Sequence, residues 1–250
     1  MEIKSHAGLF EGIGGFTIGA QRNKIETKWV CELDPYKRKV LKNHFPNANQ
    51  FTNIKHLNHP PRVDILTGGF PCQNISAAGK GAGIVGEQSQ LWAEYYRVIF
   101  QVRPRYLVIE NSIQLKNRGL EYILYDLSQI GYNAQWQDLQ ATDFGYPHKR
   151  ERLFIVAYPH KIGRPQDRHV SLFRPVNEVF RELPGSLNLS MPIKRIHPKG
   201  DNRCVPINHG LSGKLDRPAI AAIGDAVLPD IADYIFQCIL KFDALALSKI

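Results

Sequence analysis

The sequence is poor in cysteine, with four residues in 250, at positions 31, 72, 204 and 238. None stands at zinc-ligand spacing from another, so no structural metal is expected. Four scattered thiols do not make a disulfide framework either. The start, Met1-Glu2-Ile3-Lys4, lacks the apolar run of a secretory leader. No stretch approaches the roughly 20 apolar residues of a membrane span. No membrane partner is expected, and the setting read from these absences is a reducing, cytoplasmic one. There each cysteine poses one question: packed filler or nucleophile. Internal repeats and low-complexity tracts are also lacking.

What is present in excess is positive charge. The formal net charge is +9 with a hydrophobic content of 43% and a charged content of 22%, ordinary for a globular chain except in its sign. Such an excess points to an anionic partner, of which nucleic acid is the commonest. The charge is unevenly spread: residues 159–217 hold eleven Lys or Arg against five Asp or Glu, six of the nine net charges.

The first part of the chain alternates short apolar runs with amphipathic stretches. Strands are predicted at Trp29-Val30-Cys31, Val63-Asp64-Ile65-Leu66, Tyr106-Leu107-Val108-Ile109 and Leu153-Phe154-Ile155-Val156-Ala157. Leu91, Tyr95, Val98, Ile99 and Val102 share one helical face, predicting a helix over Gln90–Val102 that Pro104 ends. A second helix is predicted over Leu120–Ile130, stopped by Gly131. Alternating strands and helices predict an α/β fold with a mostly parallel sheet covered on both faces. From Pro159 to Arg217 prolines and glycines recur without periodicity, over a length too great for an ordinary loop. Clusters such as Val170-Ser171-Leu172-Phe173 and Val179-Phe180 argue against full disorder there. A small irregular domain is expected at 159–217, with 1–158 and 218–250 forming the main domain. Ile231, Tyr234, Ile235, Cys238 and Ile239 form the apolar stripe of a closing helix.

Two turns carry chemistry. Leu9-Phe10-Glu11-Gly12-Ile13-Gly14-Gly15-Phe16 follows a candidate first strand, and its glycines let a ligand approach the backbone. Glu32 lies 20 positions after Gly12, the spacing at which an acidic residue meets ribose hydroxyls in nucleotide-binding folds. The glycine spacing is not that of the dinucleotide fingerprint, so an adenosine-bearing cofactor other than NAD fits better. In the second turn an apolar strand ends in Gly68-Gly69-Phe70-Pro71-Cys72-Gln73. That places a cysteine where ligands bind in open α/β sheets, at the C-terminal end of a strand.

Five segments, taken together and in order, resemble the cytosine carbon-5 DNA methyltransferase family. Phe10-Glu11-Gly12-Ile13-Gly14-Gly15 is similar to its cofactor motif, and Gly69-Phe70-Pro71-Cys72-Gln73 to its nucleophile motif. Val108-Ile109-Glu110-Asn111 is similar to its acid motif. Gly145-Tyr146-Pro147-His148-Lys149-Arg150-Glu151-Arg152 is similar to its basic motif, and Ile223-Gly224-Asp225-Ala226-Val227 to its closing motif.

The resemblance implies a Rossmann-like methyltransferase fold and a DNA (cytosine-5-)-methyltransferase that uses S-adenosylmethionine. It implies that the Cys72 thiolate attacks carbon 6 of a flipped-out cytosine, that Glu110 supplies a proton or strong hydrogen bond at ring nitrogen 3, and that Arg152, with Arg150, holds the base. It implies a cofactor site built from Phe10, Gly12, Gly14, Gly15, Glu32, Leu33, Asn53, Pro71, Leu91, Asp225 and Val227. By the same resemblance 159–217 is the target-recognition region for double-stranded DNA. A monomer of bacterial or phage origin is expected, for which a cognate restriction endonuclease is a conceivable partner. The chain departs from the family pattern at Gly8 (usually Asp), Asn53 (usually acidic), Leu33 (often aromatic), His148 (usually Gln) and Asp225 (usually Asn). Two other readings stay open: a tRNA cytosine methyltransferase, whose branch carries a Cys-Phe-Thr motif that this chain lacks, and an inactive DNA-binding module.

Overall fold

A computed structural model describes residues 2–71, 87–162, 171–181 and 217–247. Cys72, Cys204 and most of 159–217 lie outside the described residues. In chain order the elements are β1 (Ser5–Leu9), α1 (Gly15–Arg22), β2 (Glu26–Cys31), α2 (Pro35–His44), β3 (Asn49–Phe51), β4 (Ile65–Gly68), α3 (Glu87–Val102), β5 (Tyr106–Asn111), α4 (Leu115–Arg118), α5 (Leu120–Gln129), β6 (Tyr132–Gln140), β7 (Glu151–Pro159), α6 (Val176–Arg181), α7 (Arg217–Asp225) and α8 (Pro229–Leu247).

The strands form a seven-stranded sheet in the order β3-β2-β1-β4-β5-β7-β6. β1 pairs in parallel with β2 and with β4, β2 with β3, and β4 with β5. β7 alone runs antiparallel, against both β5 and β6. The mostly parallel sheet expected from the alternating pattern is therefore present.

The period of two along each strand sorts its side chains into two cores. Ala7, Leu9, Leu66, Leu107, Ile109, Leu153 and Ile155 pack on one face with α3 and α5, through Tyr95, Val98, Ile99, Ile123 and Leu127. Ile65, Tyr106, Val108, Phe154 and Val156 pack on the other with α1 and α8, through Phe16, Ala20, Ile231, Ile235 and Ile239. Leu172, Phe173 and Val179 join this second core, so part of the irregular stretch packs on the main sheet. No helix among the described residues is long and apolar enough to cross a membrane.

Most predicted elements are longer than expected, and two differences have a clear physical cause. The second predicted strand starts at Ile65 rather than Val63 and runs on to Gly68. Asp64 is tied to the start of β1 instead: its N–H donates to the Ser5 hydroxyl oxygen at 2.9 Å, and its carboxylate accepts the backbone N–H groups of Lys4 and Ser5, each at 2.9 Å, and the Ser5 hydroxyl at 2.7 Å. β6 carries the polar sequence YNAQWQDLQ and no clean alternation. It forms because β7 supplies backbone partners along its whole length at the sheet edge.

α1 and α8 approach closely. A Cβ on Gly19 would lie 2.7 Å from the Ala232 Cβ and 2.9 Å from the Asp233 nitrogen. Arg22 donates to Asp230 at 2.6 Å and Asn23 to Asp233 at 2.8 Å, which closes the end of this contact. On β1, His6 is fully buried with its two ring nitrogens 2.9 Å from the Thr27 and Thr67 hydroxyls, and burial depresses its pKa to about 3.

Gly19→Ala should therefore destabilise the chain. The helix-propensity gain of about 1 kcal/mol is outweighed by overpacking against backbone that cannot yield, about 1–3 kcal/mol, which urea denaturation would read. His6 makes stability depend on pH. Between its unfolded pKa of about 6.5 and its folded value of about 3, only the unfolded chain takes up the proton. The His6 contribution is thus intact above pH 6.5 and falls by about 1.4 kcal/mol per pH unit below it. Thermal midpoints measured from pH 7 to 5 should drop for the native chain and drop less steeply for His6→Gln.

Candidate active site

β1 has parallel neighbours on both sides, and the chain leaves it in opposite directions to reach them. The crevice beyond the C-terminal ends of such strands is where open α/β sheets bind ligands. A cleft of about 680 Å³ lies there. Phe10 and Gly12 enter it after β1, Glu32 to Pro35 after β2, Thr52 and Asn53 after β3, Gly69 to Pro71 after β4, and Glu110 to Ser112 from β5. Leu91, Arg150, Arg152 and Asp225 complete its wall.

The turn after β1 is conformationally demanding. Phe10 has φ 51°, rare for a residue with a side chain, and Gly12 has φ 65°. The turn is held from across the cleft: the Gly12 N–H donates to Glu32 Oε2 at 2.8 Å, and the other carboxylate oxygen accepts the Asp34 N–H at 2.9 Å. Each oxygen keeps a free lone pair, which leaves Glu32 able to accept further donors. Gly14 and Gly15 lie behind the cleft. A Cβ on Gly14 would meet the Phe45 ring at 2.3 Å, and one on Gly15 the Val227 carbonyl oxygen at 2.1 Å. Both are glycine so that α2 and the closing segment can dock on the turn. Val227 sits on a smaller recess with Glu110, Arg150 and Arg152.

Leu33 stands at the lip, 67% exposed. The Asn53 side-chain oxygen accepts the Lys55 N–H at 3.0 Å, capping a short 3-10 turn over Ile54–His56. Pro71 lines the cleft and Cys72, the next residue, lies outside the described residues. Two of the other thiols are packed filler. Cys31 and Cys238 are buried, with burial raising the Cys31 pKa to about 12 and that of Cys238 above its ordinary value.

Glu110 closes the inner end. Its carboxylate is largely buried, and a Cβ on Gly69 would come within 2.5 Å of Oε2, so the glycine is what leaves room for it. Arg152 Nε donates to Oε1 at 3.0 Å. Burial raises the Glu110 pKa despite the opposing charges of Arg152 and Arg150. The strand end is tied to the Gly-Phe-Pro turn: Asn111 Nδ2 donates to the Phe70 carbonyl at 3.1 Å and its Oδ1 accepts the Ser112 N–H at 2.8 Å. Arg150 turns its fork to the closing segment, donating to the Ala226 carbonyl at 2.7 Å and the Asp225 carbonyl at 3.1 Å.

The structure thus gathers Phe10, Gly12, Glu32, Leu33, Asn53, Pro71, Leu91, Glu110, Arg150, Arg152 and Asp225 around one cleft, and sets Gly14, Gly15 and Val227 behind or beside it. Two residues escaped the sequence reading. Lys37 lines the cleft and pairs with Asp225. The Asp34-Pro35 step, an N-cap followed by proline at the first helical position, does mark where α2 begins. It gives no hint of a partner 188 residues away. Glu11 is buried under the turn, one oxygen accepting the Thr17 N–H and hydroxyl, with burial raising its pKa to about 7. Its other oxygen occupies the space a side chain at Gly8 would need.

Known proteins resemble this chain in sequence and in fold. The type II methyltransferase M.NgoBI of Neisseria gonorrhoeae is 31% identical over 196 residues, 75% of this chain and 62% of that protein. The type II methyltransferase M2.BsuMI of Bacillus subtilis is 34% identical over 157 residues, 60% of this chain and 40% of that protein. The chain thus spans less than two thirds of either relative. Among solved structures, the methyltransferase EhMeth of Entamoeba histolytica superposes with a TM-score of 0.66 at 16% identity, over 98% of this chain and 99% of that one, a likeness of fold. The sequence profile described as C-5 cytosine-specific DNA methylase matches residues 5–197, four of the five motif segments included, and on that match the chain belongs to the C-5 cytosine-specific DNA methylase family.

Proposed function

We propose that this chain transfers a methyl group from S-adenosylmethionine to carbon 5 of a cytosine in double-stranded DNA, with Cys72 as nucleophile. The observation that carries the reading is Glu110: a buried carboxyl, raised in pKa and gripped by Arg152, in the same cleft as Pro71, one residue before Cys72.

The cleft suits an adenosine-bearing donor. Its volume is that of a small-molecule site. Leu33 offers an exposed apolar surface for a base, and Glu32 has spare acceptor capacity for ribose hydroxyls. The Asn53 oxygen can take a second donor beside its cap. Bound there, S-adenosylmethionine supplies an electrophilic methyl on its sulfonium. The chain's own residues make carbon 5 able to take it. The Cys72 thiolate adds to carbon 6, and electron density moves towards nitrogen 3, where the protonated Glu110 donates. Arg152 orients Glu110 and offers its remaining donors to the base carbonyl, a task suited to a fixed guanidinium fork. Transfer of the methyl releases S-adenosylhomocysteine; water takes the carbon 5 proton, the Cys72 thiolate is expelled, and nitrogen 3 returns its proton to Glu110, which restores the aromatic ring.

The target atom is inaccessible inside a duplex, so the base must leave the stack at a cost of a few kcal/mol. Residues 159–217 are proposed as the target-recognition domain, whose six excess positive charges would help offset that cost through phosphate contacts. The type II methyltransferase names of two bacterial relatives support a restriction-modification setting, bacterial or phage-encoded; a cytoplasmic monomer, with or without a cognate endonuclease, is proposed alongside it.

Methyl transfer from labelled S-adenosylmethionine to duplex DNA and to tRNA, side by side, tests the reading; label in tRNA alone would overturn it. Cys72→Ala should abolish transfer. Glu110→Gln should lower kcat by about 10²–10⁴-fold. Glu110 acts as the protonated acid, so kcat/KM of the native enzyme should fall as pH rises through its raised pKa. That alkaline limb should be missing from the Glu110→Gln profile.

A further inference from the structure

A carboxyl group lies buried beneath the glycine turn, and the chemistry above makes no use of it. Glu11 is 5% exposed. Its Oε1 accepts the Thr17 N–H at 2.9 Å and the Thr17 hydroxyl at 2.7 Å. Thr17 is the third residue of α1, whose N-cap, Gly14, has no side chain to offer. Glu11 thus caps the helix from outside it, and its own carbonyl accepts the Gly14 N–H at 3.2 Å. Side chain and main chain together brace the turn that carries Gly12, which lines the cleft.

The second carboxyl oxygen, Oε2, is buried without a hydrogen-bond partner. It fills the space over Gly8, where the chain departs from the usual Asp. The three atoms nearest to a Cβ at position 8 all belong to Glu11, with Cγ at 3.3 Å, Cδ at 2.7 Å and Oε2 closer still. Positions 8 and 11 therefore share room for one side chain. The groups that bear on Glu11 are Thr17 of α1, the Glu32 carboxylate at the end of β2 and the Tyr95 hydroxyl of α3. Cys31 accepts the Glu11 N–H through its carbonyl at 3.4 Å. Burial keeps Tyr95 and the Cys31 thiol neutral at ordinary pH. An ionised Glu11 would thus be buried beside a charge of its own sign, and the neutral form costs less. Burial, opposed by the Thr17 bonds and reinforced by Glu32, raises its pKa to about 7.

We propose that Glu11 is the positioning residue of the glycine turn: its neutral side chain, filling the space over Gly8 and capping α1 through Thr17, holds Gly12 in the conformation that receives the cofactor. The turn then binds cofactor in proportion to the fraction of Glu11 that keeps its proton. This rests on the reading of S-adenosylmethionine as cofactor.

Titration calorimetry with S-adenosylhomocysteine on the full chain tests it. At pH 6, Gly8→Ala and Glu11→Ala should each weaken binding about ten-fold. The double variant should be no weaker than either one, because both changes remove the same side chain from the same space. Losses that add, or native affinity in Glu11→Ala, would overturn the proposal. Between pH 6 and 8 the native affinity should fall about ten-fold as Glu11 ionises around its pKa of about 7. Glu11→Gln keeps the volume and the acceptor oxygen but cannot ionise, so it should bind equally well at both pH values. The same pH dependence in native and Glu11→Gln chains would overturn the proposal even if the alanine variants failed to fold. If the native chain did not bind S-adenosylhomocysteine at either pH, the cofactor reading itself would fall, a result distinguishable from these.

Discussion

The site depends on the burial of one carboxyl group between β5 and β7. Glu110 comes off the end of a parallel strand, and Arg152, on the antiparallel neighbour, reaches its oxygen. A buried carboxylate without a partner is costly, and with one it is poised between charged and protonated forms. Much of the surrounding architecture follows from making room for this group. Gly69 has no side chain because the carboxylate lies where a Cβ would be. Asn111 ties the strand end to the Phe70 carbonyl, which keeps the turn before Cys72 in register with the acid. β7 runs antiparallel, so its N-terminal end brings Arg150 and Arg152 to the edge at which the parallel strands finish.

The two arginines divide the work by strand periodicity. Two residues apart at the start of β7, Arg150 just before the strand and Arg152 within it, both line the cleft. Arg152 addresses the acid, while Arg150 grips the backbone of the closing segment. That segment is also docked from the opposite side, where Gly15 lies against the Val227 carbonyl and α1 packs on α8. The last part of the chain therefore touches the first turn and the basic strand at once. The cleft is closed by contacts between residues some two hundred positions apart, and the Lys37–Asp225 pair spans the same seam.

The glycine turn shows how a departure in sequence is absorbed in space. Gly8 leaves a void beside β1, and the Glu11 carboxylate fills it. The acid is buried, one oxygen satisfied by Thr17 and the other without a hydrogen-bond partner, and burial favours its protonated form.

Much of this was legible in the order of residues. The alternation of apolar runs is enough for a parallel sheet, because period two and period 3.6 need different spacings of the same side chains. The glycine turn around Gly12 was legible from its own residues, whereas the roles expected of Glu110 and Arg152 came from the resemblance of five ordered segments to a known family. β6 was not legible, since a polar edge strand is stabilised by its neighbour rather than by its composition. The division of labour among the glycines was not legible either, because a missing Cβ is explained only by what would collide with it. The same holds for Lys37: its helix start is written locally in Asp34 and Pro35, whereas its partner is brought to it by the docking of α8 on α1. Sequence by itself determined where along the chain most strands lie and which residues were candidates for the site. Tertiary structure alone decided which of those groups face the cleft, which are charged, and which distant residue meets each, because burial and pairing depend on the whole packed chain.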